Sequence, residues 1–185
     1  LKTWTCQVER AAASAAKVDH AVVYTDPATG LQARWEAVEY LDFPTVEWVL
    51  RFKNTGAADT PILSDIRALD IALKRRPAEE FTLRHWKGTF VRRDDYEPLV
   101  TALGPGTTQH FAPPGGRPCG HVFPYYNLEA GGEGMLIAVG WPGQWMCEFA
   151  SDAERGLAVR AGQETTRFVL RPGEEIRTPL MVIQF

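Results

Sequence analysis

Tight-turn sequences punctuate this chain along its whole length, with short strand-like runs between them. They are Asp26-Pro27-Ala28-Thr29-Gly30, Asn54-Thr55-Gly56, Gly104-Pro105-Gly106, Pro113-Pro114-Gly115-Gly116, Gly131-Gly132-Glu133-Gly134 and Arg171-Pro172-Gly173. Each supplies the preset φ of proline or the positive φ that glycine tolerates. Between the turns apolar residues recur with period two: Trp4, Cys6 and Val8; Val46, Trp48, Leu50 and Phe52; Leu69, Ile71 and Leu73; Trp145, Cys147 and Phe149; Leu157 and Val159; Phe168 and Leu170. Side chains two apart on a strand share a face, so this pattern predicts antiparallel sheets with one buried side. The spacing predicts about twelve strands, which favours a large sandwich over one small barrel.

Two segments carry other patterns. Met135-Leu136-Ile137-Ala138-Val139 is apolar on both faces, which suits a central strand covered on each side. Glu9 to Lys17 is rich in alanine but too short for a stable lone helix, and it is read as a strand end and loop. No linker, repeat or low-complexity tract divides the sequence, so residues 1–185 are expected to form a single β-sandwich domain.

Composition narrows the function classes. With 185 residues the chain is too short for a complete (β/α)₈ barrel, which needs roughly 250. Its 20 Lys plus Arg against 23 Asp plus Glu leave a formal charge of −3. There is no basic excess to meet a phosphate backbone and no apolar run approaching the roughly 18 residues of a membrane span, so neither nucleic acid nor membrane is expected as a partner. The chain begins at Leu1 without the charged and apolar regions of a secretion signal and reads as a fragment or processed form. Cys6, Cys119 and Cys147 form no C-x-x-C pair and no even framework, which points to a reducing, cytoplasmic setting.

Motifs for nucleophilic, nucleotide or dinucleotide chemistry are absent: the sequence has no Gly-x-Ser-x-Gly, P-loop or Gly-x-Gly-x-x-Gly. Cys119 and His121 would share a face on a strand, but zinc needs three or four ligands and no second pair is in view, so no metal or cofactor is expected. Paired carboxylates could serve glycoside hydrolysis. Adjacent residues on a strand point apart, however, so neither Asp94/Asp95 nor Glu174/Glu175 makes a natural pair, and Asp65 with Asp70 is the remaining combination. Asp94 and Asp95 lie in a charged loop, where pairing with solvent competes with ligand contact. The segment Gly140-Trp141-Pro142-Gly143-Gln144-Trp145 could set two indoles around a tight turn beside the amide of Gln144, a plausible sugar platform. The competing reading makes one Trp a core side chain and the other an interface. Phe123-Pro124-Tyr125-Tyr126-Asn127 is expected to pack between the sheets, with Phe123 buried.

Several longer runs carry a family resemblance. Arg117-Pro118-Cys119-Gly120-His121-Val122-Phe123-Pro124-Tyr125-Tyr126-Asn127-Leu128-Glu129, Ile137-Ala138-Val139-Gly140-Trp141-Pro142-Gly143-Gln144-Trp145, Val159-Arg160-Ala161-Gly162-Gln163-Glu164 and Pro172-Gly173-Glu174-Glu175-Ile176-Arg177-Thr178-Pro179 occur in order. Upstream stand Tyr24-Thr25-Asp26-Pro27-Ala28-Thr29-Gly30-Leu31 and Asp42-Phe43-Pro44-Thr45-Val46-Glu47-Trp48. Together they resemble the N-terminal domain of the α-galactosidase (melibiase) clan, glycoside hydrolase family 36, over nearly the whole chain. Cys119 departs from the small hydroxyl residue more usual there.

The resemblance implies an all-β fold, an antiparallel β-supersandwich of galactose-mutarotase type, followed in the parent enzyme by a catalytic (β/α)₈ barrel. In that family the nucleophile and acid/base are aspartates on the barrel, so no catalytic residue is expected in this chain. The domain is expected to pack on the barrel, to join subunit contacts in a homo-oligomer and to help wall a site for galactoside-type sugars. Candidate sugar contacts are Lys87, Asp94, Asp95, Arg117, Trp141, Gln144 and Trp145. Two other functions compete: a stand-alone carbohydrate-binding module, and a mutarotase-type epimerase needing a His and a carboxylate that converge in a sheet cavity.

Overall fold

The computed structural model describes residues 3–76 and 79–185. The described chain runs through β1 (Thr5–Ser14), β2 (Lys17–Thr25), β3 (Leu31–Tyr40), β4 (Thr45–Asn54), β5 (Leu63–Ser64), β6 (Leu69–Lys74), β7 (Phe81–Trp86) and β8 (Pro98–Leu103). It continues through β9 (Thr108–Phe111), β10 (Tyr125–Ala130), β11 (Glu133–Gly140), β12 (Trp145–Ser151), β13 (Gly156–Gln163), β14 (Arg167–Phe168), β15 (Glu175–Arg177) and β16 (Leu180–Gln184). The sequence predicted about twelve strands. The described chain has sixteen, and part of the surplus is the two- and three-residue strands β5 and β15, too short to show a period.

Every pairing is antiparallel. The large sheet runs β1-β2-β3-β4-β16-β11-β10-β7-β8, with β15 also paired to β4, and the small sheet runs β6-β13-β12-β9. Turn chemistry sets the hairpins. Ala130 pairs with Glu133, leaving Gly131 and Gly132 as a two-residue connection with φ of 60° and 82°. A type I′ turn needs positive φ at both positions, and its twist matches the flanking strands. The Glu9–Lys17 segment is mostly strand: β1 extends to Ser14, and only Ala15 and Ala16 form the turn into β2. Alanine is neutral enough that pairing with β2 decides its conformation.

The core lies between the two sheets. Leu83, Tyr126, Ile137, Trp145, Cys147, Phe149, Val159 and Met181 are fully enclosed there, as the period-two pattern requires. Phe111, Tyr126, Trp145 and Phe149 form its aromatic centre, with Tyr126 meeting Phe111 at 5.0 Å, Phe149 at 5.2 Å and Trp145 edge-on at 6.5 Å. Burial pushes the Cys147 thiol and the Tyr126 phenol above their ordinary ranges.

Three sequence expectations change here. Strand β11 is central in its sheet but covered on one side only: Ile137 and Val139 face the core, whereas Leu136 stays exposed. The aromatic packed between the sheets is Tyr126, and Phe123 is only partly buried before the strand begins. Alternation explains the exchange, because Tyr125 and Tyr126 are strand neighbours and must face opposite ways. The face of Cys6 and Val8 on β1 is likewise exposed. No helix among the described residues is long and apolar enough to cross a membrane.

The Tyr126 hydroxyl is enclosed without a hydrogen-bond partner among the described residues. An unsatisfied buried hydroxyl costs about 1–3 kcal/mol. Tyr126→Phe should therefore leave thermal stability unchanged or raise it, while Tyr126→Ala should lose about 3–5 kcal/mol by opening a cavity. Denaturant unfolding of both variants measures this, and a clear loss in Tyr126→Phe would show that the hydroxyl is bonded after all.

Candidate functional site

Two loops at one end of the sandwich zip into a single outcrop: residues 87–97, joining β7 to β8, and residues 112–124, joining β9 to β10. Gly88 N donates to the His121 carbonyl (2.9 Å) and Thr89 N to that of Cys119 (2.7 Å), while Lys87 and Val122 form an isolated β-bridge. Gly88 permits this approach, since a Cβ there would stand 2.1 Å from the Cys119 carbonyl oxygen. Cys119 and His121 lie in this bent segment rather than on a strand, with His121 at φ 61°, so they do not share a face as the sequence reading supposed. No cluster of three metal-ligating side chains occurs among the described residues.

Asp95 organises the first loop. Its carboxylate accepts hydrogen bonds from Phe90 N (2.9 Å), Val91 N (2.8 Å) and the Thr89 hydroxyl (2.8 Å). Lys87 bridges Asp94 at 2.9 Å and the Glu97 carboxylate. The bond to Glu97, then that to Asp94, raises the Lys87 pKa, and the Lys87 ammonium lowers that of Asp94. Asp95 is lowered chiefly by the Phe90 N–H, against some desolvation. The loop is bent rather than extended, so strand alternation does not apply. The two aspartates are separated instead by their partners, a cation for one and backbone donors for the other.

The second loop is pinned from beneath by two residues expected to touch sugar. Trp145 is fully enclosed and its Nε1 donates to the Pro118 carbonyl at 2.8 Å. Gln144 accepts from Gly116 N (2.8 Å) and donates to Glu164 (2.6 Å). The paired-indole platform is therefore not formed. Trp145 begins β12 facing inward, so its indole fills the core, while Trp141 is half-buried against the same core with the Arg177 guanidinium 5.6 Å from its ring centre. Arg117, in the loop these residues hold, is exposed, with its guanidinium 5.9 Å from the Phe90 ring centre.

Of the seven candidates, the fold thus gathers Lys87, Asp94, Asp95 and Arg117 in the outcrop. Gln144 and Trp145 support it, and Trp141 stands apart. Sequence reasoning missed the aromatic surface of this outcrop. Phe90 meets His121 at 4.4 Å; Phe123 stacks on Tyr125 at 5.1 Å and 21°; Tyr96 stands edge-on to Phe123 at 5.5 Å and 87°. Phe90, Tyr96 and Tyr125 are all exposed. The available signal was the adjacent pair Tyr125-Tyr126, of which only one can face the core.

Asp95 yields a test with a definite sign. A carboxyl held below the usual value of about 3.9 stabilises the loop fully above that pH, and the stabilisation is lost as pH falls through the lowered value. Amide protection at Phe90 and Val91 should therefore drop below about pH 4. Asp95→Ala should reduce that protection roughly tenfold at neutral pH while leaving the core amides unchanged. Hydrogen exchange resolved by residue measures both, and unaltered protection would show that the loop does not depend on Asp95.

Neither a protein-family profile nor a curated protein sequence matches this chain. Its fold is shared with solved α-galactosidases. The family 36 enzyme AgaA from Geobacillus stearothermophilus superposes with a TM-score of 0.77 at 18% identity, over 97% of this chain and 27% of that one. Structures of AgaA variants hold stachyose or raffinose. The galactosidase domain of the α-galactosidase–sucrose kinase AgaSK gives 0.76 at 16% identity, over 97% and 27% of the two chains. The α-galactosidase from Lactobacillus brevis gives 0.75 at 13% identity, over 98% and 26%. The chain spans about a quarter of the length of the solved structures it resembles, and what it shares with them is an all-β, antiparallel sandwich.

Proposed function

We propose that residues 1–185 are the accessory β domain of a retaining, family 36 type α-galactosidase, packed on a catalytic (β/α)₈ barrel, with the outcrop walling part of the sugar site. The observation that carries this reading is the breadth of the likeness on one side and its narrowness on the other: 97% of this chain against 27% of AgaA. A fold matched so fully, yet so small a share of an α-galactosidase, fits an accessory role. The aspartates of the outcrop support the same division of labour. Asp94 is ion-paired and Asp95 is a backbone acceptor, both with lowered pKa, whereas a general acid in glycoside hydrolysis needs a raised one. Lys87 and Arg117 are the side chains of the wall suited to hydrogen-bond sugar hydroxyls. The three free thiols suit a cytoplasmic protein.

The purified chain should hydrolyse no aryl α-galactoside. Turnover that disappears on Asp94→Ala or Asp95→Ala would overturn the proposal. In a polypeptide that also carries the barrel, Arg117→Ala should raise KM for raffinose about three- to tenfold with kcat nearly unchanged, the signature of lost uniform binding. A normal KM would remove Arg117 from the wall.

A further inference from the structure

We propose that Tyr96, Phe123 and Tyr125 form a saccharide-binding corner of their own, which takes the C–H face of one hexopyranose ring without help from any other domain. The choice of a galactose-type ring rests on the proposed function; the stacking site does not.

The first argument is strain without burial. Val91, Tyr96 and His121 hold φ of 62°, 61° and 61°. Positive φ disfavours L residues, each such position costs on the order of 1–3 kcal/mol, and a β-branched residue there is a marked outlier. Glycine would relieve the strain, and core packing does not offset it, because Tyr96 is 51% exposed and Val91 90%. Three strained, exposed residues in one outcrop fix ring positions that the sandwich itself does not need.

Geometry gives the second argument. Tyr125 is stacked on Phe123 through one face, yet half of its surface remains open. Tyr96 stands perpendicular to the Phe123 ring and adds a second exposed phenol. The outcome is a corner of stacked and upright rings, on the scale of one sugar ring. An aromatic face carries negative charge density and attracts the weakly positive C–H groups of a pyranose. A galactopyranose, with its axial O4, presents three such hydrogens on one side.

Polarity and rigidity complete the case. The Lys87–Val122 bridge places Lys87, with its partners Asp94 and Glu97, one residue along the backbone ladder from Phe123, and the two exposed phenols add hydroxyls. Donors and acceptors thus accompany the apolar surface, as hydroxyl groups at a sugar's edge require. A protein docking surface would instead favour a wider apolar area. Asp95 and the zipped loops hold the rings in place, so little ordering opposes binding.

The test is titration of the 185-residue chain with raffinose, galactose and maltose, followed by NMR shifts of aromatic and backbone resonances. The expected result is binding of raffinose and galactose with Kd on the order of 1 mM, with the largest shifts at Tyr96 and Tyr125. Tyr125→Ala should weaken it roughly tenfold, about the worth of one stacked ring. Because Tyr125 is half exposed, that variant should keep its melting temperature. Val8→Ser, on the open face of β1, should bind as the native chain does. No saturable shift by 50 mM sugar, on the order of the weakest useful affinity, would overturn the proposal. So would binding lost on Trp141→Ala but retained by Tyr125→Ala. Maltose binding equal to galactose would overturn the preference for a galactose-type ring. The proposed function fails independently, on the hydrolysis assay.

Discussion

The indole N–H of Trp145 ends on the carbonyl of Pro118, and through that bond the packing between the sheets governs what projects from them. Trp145 is fully enclosed at the start of β12, in edge contact with Tyr126 across the core. A large buried indole needs a partner for its single donor, and the partner here is a loop carbonyl. Gln144, the preceding residue, bonds Gly116 of the same loop. One dipeptide therefore fixes the height and direction of residues 112–124. The loop in turn receives Gly88 and Thr89 of its neighbour. Remove the indole, and the outcrop loses its footing along with the core.

Most of the architecture was legible because its determinants are local. Period-two alternation placed the inward faces of β6, β12 and β13, and the Gly131-Gly132 turn declared the β10–β11 hairpin. What escaped the sequence reading depended on partners far along the chain. Leu136 lies on the face of β11 turned away from the four-stranded sheet, and whether another layer covers that outer face is something no local pattern encodes. Whether Trp145 or Trp141 faces outward depends on the register of β12 after the Pro142-Gly143 turn. Tyr125 and Tyr126 are chemically identical, and only strand phase assigns one to the core and the other to the surface. The candidate site shares this fate: Lys87, Asp94 and Arg117 are legible as loop charges, while the run Phe123–Asn127 reads as core and nothing local marks Phe90 or Tyr96 as surface rings.

Strain and satisfaction are distributed unequally over the molecule. In the sandwich nearly every buried polar group is paired: Asn54 bonds the carbonyls of Ala58 and Leu170, Thr178 receives Leu50 N, and His85 meets the Thr101 hydroxyl. In the outcrop, by contrast, residues with side chains occupy positive φ where glycine would be cheaper. Of the four such residues among those described, Asp65, Val91, Tyr96 and His121, three lie in the outcrop, so these backbone exceptions gather mainly where packing does not explain them.

The charges of the outcrop point the same way. Asp95 is held ionised by the donors it orders, and Asp94 by the cation it faces. A carboxylate already committed to two or three partners is a poor proton donor near neutrality, because protonation would break those bonds. Its value lies in keeping backbone and cation where they are. The same commitment leaves Arg117 and the phenols of Tyr96 and Tyr125, all exposed and outside the ion-pair network, free to meet a ligand. Charge in this region therefore builds the site, and the aromatic rings are what it presents.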